Sequence, residues 1–102
     1  MSVEAARFAA TSAAREAARA YVQADTVQQA QQRAQFATHM VLTDAHIPVV
    51  RPVITCVGGC LVPGSHVNVT VRLPVSLPFL GHVSVFVSST ESMPVDRFRE
   101  MP

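Results

Sequence analysis

The feature that most constrains this chain is a break in composition. All fourteen alanines lie at or before Ala45, and all seven prolines lie at or after Pro48. All six glutamines fall between Gln23 and Gln35, and thirteen of the seventeen valines follow position 48. Alanine and glutamine favour helix, whereas valine favours strand. A chain of 102 residues is one domain by its length and sits near the lower end of what buries a self-sufficient core. The expected class is therefore α+β, with a helical first half and a strand-forming second half joined near "DAHIP".

In the helical half, small and apolar residues recur at positions 3, 6, 10, 13, 17, 20, 24 and 27 and continue at 30, 34, 37 and 41. Steps of three and four mark an amphipathic helix. Asp25-Thr26-Val27-Gln28 resembles a capping box, with Asp25 as N-cap of a second helix, whereas the unbroken stripe argues for continuity. The expectation is a long helix or one kinked or broken at 24–26. The second segment carries Val27, Phe36, Met40, Val41 and Leu42, enough to anchor a core. The first, residues 1–24, has only Val3, Phe8, Tyr21 and Val22 among its alanines. It is expected to stand apart as a stem, with residues 25–102 forming the folded unit.

In the strand half, "HVNVTVRLPVSL" alternates cleanly. Val67, Val69, Val71, Leu73, Val75 and Leu77 share one face, while His66, Asn68, Thr70, Arg72 and Ser76 share the other. Pro74 marks an edge or the end of pairing. "HVSVFVSS" repeats the pattern, and "VVRPVITCV" is a weaker strand interrupted by Pro52. Turn signals at Gly58-Gly59, Pro63-Gly64 and Pro78–Gly81 give an antiparallel meander of three to four strands. The expected core sets Val69, Val71, Val85 and Val87 beneath a helix bearing Val27, Ala34, Ala37 and Val41.

The net charge is +1 and the eight cations are scattered arginines, so neither nucleic acid nor an anionic membrane surface is indicated. No apolar run approaches the ~18–20 residues that cross a bilayer, and Glu4 and Arg7 interrupt any N-terminal leader. "CVGGC" admits several readings. C-x₃-C is half a zinc site, but no second cysteine pair or paired histidines complete it; His39, His46, His66 and His82 are scattered. A redox pair ordinarily opens a helix. A short Val57-Gly58-Gly59 loop would set Cys56 opposite Cys60 across a hairpin, within disulfide range. That geometry favours a disulfide in an oxidising compartment and leaves two free buried thiols as the other outcome. Asn68-Val69-Thr70 matches a glycosylation acceptor. No triad, phosphate loop or paired carboxylate stands out, so no enzyme, metal or cofactor is expected.

Three stretches, in order, resemble the TadE-like family of tight-adherence (Flp) pilus assembly proteins. "ARFAATSAAREAARAYV" is similar to that family's post-membrane segment. "CLVPGSHVNVTVRLPVSLP" is similar to its Cys-x-x-Pro-Gly turn and alternating Val/Thr strand. "PVDRFRE", residues 94–100, is similar to its common ending. The resemblance implies a pilin-like minor pilin of bacterial cell envelopes, anchored by a membrane helix upstream of residue 1, with its sheet domain outside the cytoplasm. It implies a role in initiating or organising Flp pili, used in adhesion or DNA uptake, beside a second minor pilin and the major pilin. The alanine stripe would then dock on partner helices through Ala10, Ala13 and Ala17, with Phe8 and Tyr21 as larger contacts. The competing readings are a stand-alone secreted or periplasmic binding module and a small thiol-redox protein.

Overall fold

In the computed structural model, which describes residues 2–81 and 83–96, the composition break is the boundary between two layers of helix and one sheet. Helix α1 spans Val3–Val22 and helix α2 spans Val27–Asp44. Three antiparallel strands follow: β1 Val53–Val57, β2 His66–Leu77 and β3 Val83–Pro94, in the order β1-β2-β3. The α+β class and the antiparallel meander are as expected. The single long or kinked helix is not: 20- and 18-residue helices form a hairpin.

Local chemistry sets the helix ends. Ser2 accepts a hydrogen bond from the Ala5 amide at the start of α1. The N-cap of α2 is Thr26, whose side chain accepts from the Gln29 amide at 3.1 Å, one residue later than the Asp25 cap expected. At the other end of α2, His46 adopts φ 59°, its amide donates to Thr43 O, and the Ile47 amide donates to Leu42 O. Those two bonds are a Schellman cap, made here by histidine in the left-handed region rather than glycine.

The main departure is in what covers the sheet. The alanine helix α1 packs on β2 and β3, and α2 packs on α1 rather than on the sheet. The alanine helix is thus the middle layer of a three-layer stack. Ala6, Ala9, Ala10, Ala13, Ala14, Ala17, Ala18 and Tyr21 are all buried, covering about half of the helix circumference. Such an arc fits a helix with neighbours on two sides. Thr11 and Arg15 point toward β3, where Thr11 donates to Ser89 at 2.9 Å and Arg15 pairs with Glu91 at 3.4 Å. Glu16, Ala20 and Gln23, on another side of the helix, face α2. Methyl groups are what lets both neighbours come close. Meanwhile α2 buries only Ala30, Ala34, Thr38 and Leu42, and Val27, Phe36 and Met40 are exposed. The core assigned to α2 therefore belongs to α1, and residues 1–24 are not a separate stem within this fold.

The sheet face follows its alternation. Val67, Val69, Val71, Leu73 and Val75 of β2 are fully buried, as is Val87 of β3 apart from a trace of exposure; Val85 is only half-buried. Pro74 lies in the central strand, but β1 pairs with β2 only through Thr70, so from Val71 onward β2 has one neighbour. The proline occupies a local edge, which is where a missing donor is tolerated.

Because α1 is clamped from both sides, replacing Ala13 with Leu is expected to destabilise the domain by about 1–3 kcal/mol through overpacking. Replacing Phe8, 76% exposed, with Ala is expected to change stability by less than about 0.5 kcal/mol. Urea denaturation of the two variants checks the contrast.

Candidate functional site

The residues singled out in the sequence fall into two places. Ala10, Ala13 and Ala17 are fully buried and Tyr21 is 1% exposed. The small stripe is buried within the fold, on the arc of α1 enclosed by the sheet and by α2 of the same chain. These four are therefore removed from any surface that meets a partner; Phe8 alone of the five stays at the surface.

The second place is the cysteine loop at the end of β1. Cys56 and Cys60 are disulfide-bonded, with Cα atoms 5.2 Å apart. The hairpin geometry expected for the pair is not what forms. Cys56 sits opposite Val67 on β2, and Cys60 lies in the turn beyond β1. The backbone doubles back through Gly58 and Gly59 at φ 83° and 105°. A Cβ at Gly59 would come within 2.6 Å of Val62 Cγ2, so the loop needs glycine there for both space and backbone. Leu61, also at positive φ, turns its side chain into the core. Closing so short a loop contributes about 2 kcal/mol by chain entropy.

Tyr21 links the two places. It ends the buried arc of α1, and its hydroxyl lies 3.5 Å from Cys56 Sγ, beneath the inner face of β1. The phenol anchors the helix C-terminus against the disulfide, a contact that no short motif encodes. Burial pushes its pKa above the ordinary value.

The surface beyond these is unevenly apolar. A groove of about 390 Å³ runs between α1 and α2, lined by Ala20, Phe36, Ala37, Met40 and Val41, with Glu16 and Arg33 at its rim. Asn68, of the glycosylation pattern, lies on the outer face opposite Thr55 and Ser92. His39, His46 and His66 stay apart, and among the described residues no three His, Cys, Asp or Glu side chains converge; His82 and residues 97–102, which include most of "PVDRFRE", lie outside the described residues. No family model, curated protein or solved structure matches the chain.

Tyr21 is the chain's one tyrosine, so phenolate absorbance reports it alone. Its folded pKa is raised, so its contribution is fully present below the unfolded value of about 10 and is lost as pH rises through the folded one. The native protein is expected to ionise its phenol above pH 10 and the denatured protein near it. Coincident titrations would contradict the buried placement.

Proposed function

We propose that the chain is a non-enzymatic, pilin-like component that helps initiate or organise assembly of bacterial tight-adherence pili, working through contacts with other pilin-like subunits. The observation that carries this reading is the way three separate sequence stretches come together. The alanine helix lies directly over the strand of the "CLVPGSHVNVTVRL" stretch. The Pro63-Gly64 turn of that stretch meets the start of "PVDRFRE". The Gly64 amide donates to Val95 O and the Val95 amide donates to Ser65 O, while Val95 is buried. Three weak likenesses, read in order along the chain, are thus neighbours in space.

Two further features fit the reading. A disulfide in a chain of this size suits an oxidising, extracytoplasmic space. Phe36 and Met40 stand exposed along α2, beside the groove on α1, on the layer farthest from the sheet. In the proposed setting an anchoring helix precedes residue 1, and a second minor pilin and the major pilin are the partners. The alanine stripe is occupied within the fold, so subunit contacts use the outer face of α2 instead.

An in-frame deletion in the bacterium that makes this chain tests the reading. Loss of surface pili, restored by the wild-type gene, is expected. Replacing Phe36 and Met40 with Glu should leave the isolated domain's melting temperature within a few degrees, because both side chains are exposed, yet fail to restore piliation. Undiminished piliation in the deletion strain would overturn the proposal and leave the stand-alone binding module as the better account.

A further inference from the structure

The sheet ends on an unguarded strand. Among the described residues nothing pairs with the outer edge of β3, a run of 12 residues. Chains usually blunt such edges with proline, lysine, bulges or brevity. The other open edges here are blunted: β1 has five residues and follows Arg51-Pro52, and the unpaired part of β2 carries Arg72 and Pro74. Between Val83 and Met93 there is no proline, lysine or arginine. The one charge, Glu91, is held by Arg15 of the chain's own α1. On the core side of β3, Val85 and Met93 are left half-buried, whereas their neighbours on β2 are completely covered.

Beside this edge runs a ridge of α1 formed by Glu4, Phe8, Thr11, Arg15 and Arg19 at helical spacing, exposed except at the half-buried Thr11. Its position next to β3 is fixed by the Thr11–Ser89 and Arg15–Glu91 contacts. The ridge is acidic and aromatic at its start and basic at its end. Laid antiparallel on a copy of itself about the point between Thr11 and Ser12, it sets Glu4 against Arg19 and Phe8 against Arg15. An antiparallel pairing of β3 with itself about Ser89 sets Val85 against Met93 on the core side. The helix centre and the strand centre coincide, because Thr11 and Ser89 are hydrogen-bonded.

We propose that two copies of this chain associate about a two-fold axis at Ser89, joining their sheets edge to edge through β3 and their α1 helices along this ridge. Residues opposite in an antiparallel pair point to the same face, so pairing Ser89 with Ser89 puts both helical layers on one side of a continuous six-stranded sheet. Because α1 lies over β2 and β3, its axis stands about 5 Å from the two-fold. The two α1 helices are then about 10 Å apart, an ordinary packing distance. Each closing contact occurs twice: Glu4 to Arg19 as an ion pair, and Arg15 over the ring of Phe8, which the single chain leaves bare. This inference is independent of the pilus reading.

Sedimentation velocity on the full chain, from about 1 µM to about 500 µM, tests it. A reversible dimer is expected. Glu4→Arg and Arg19→Glu each turn two attractions into two repulsions and should weaken the dimer about tenfold. The double variant should return it to near the wild-type affinity, although both changes oppose the dipole of α1. Ser89→Cys should give a reducible covalent dimer under mild oxidation, and Ser84→Cys should not. A monomer at every concentration, single and double variants of equal affinity, or cross-linking at position 84 in preference to 89 would each overturn the proposal.

Discussion

Everything in this structure depends on one helix being thin. α1 is packed on one side by the sheet and on another by α2, and only a surface of methyl groups lets both approach at once. The attraction involved is ordinary burial and dispersion, small for each alanine and large when summed over many close contacts. Its weakness is the converse of its strength: where methyl groups fill the seam, there is little to rearrange when volume is added.

The rest of the architecture serves that seam. The sheet offers α1 an apolar, mostly valine surface from β2, with Leu73 among Val67, Val69, Val71 and Val75 and no polar side chain. Ala30 and Ala34 of α2 answer the alanines of α1. Leu42 and the histidine cap behind it fix where α2 ends, and Tyr21 closes the bottom of α1 on the disulfide. The outer surfaces are where larger apolar groups remain: Phe8 on α1, Phe36 and Met40 on α2, Phe86 on the sheet. Arg72 covers the last of these, its guanidinium 3.9 Å from the ring centroid. A core built from alanine and valine therefore coexists with a surface carrying several of the chain's phenylalanines, the reverse of the usual allotment.

That reversal decided what could be read from the sequence. The strand half was legible because period two and proline-glycine punctuation are local signals, and the faces of β2 follow from them directly. The pairing of Cys56 with Cys60 was legible from spacing, but its loop was not, since left-handed Leu61 has no compositional mark. In the helical half, the assumption that large side chains fill cores assigned the sheet to α2. Size was the wrong guide, because a helix with two neighbours needs small residues and one with a free side does not. The stripe running unbroken from residue 3 to residue 41 argued for one helix, while the capping-box pattern at 25–28 argued for the break that lies between Val22 and Val27. The stripe runs in phase because each arm of the hairpin buries alanines against the other, which periodicity alone does not distinguish from continuity. Ala10, Ala13 and Ala17 were read as docking residues for helices of other subunits; in this fold they are buried within the chain's own core, between the sheet and α2.

Amide hydrogen exchange along α1 tests the central claim most directly. If the alanine helix is the middle layer of the domain, the amides of residues 8–21 in the monomeric protein open only with the whole fold. They are then expected to exchange as slowly as those of Val69 and Val71 on the central strand. Exchange of α1 near the rate of a free peptide, with β2 still protected, would contradict it and return the helix to a stem outside the core.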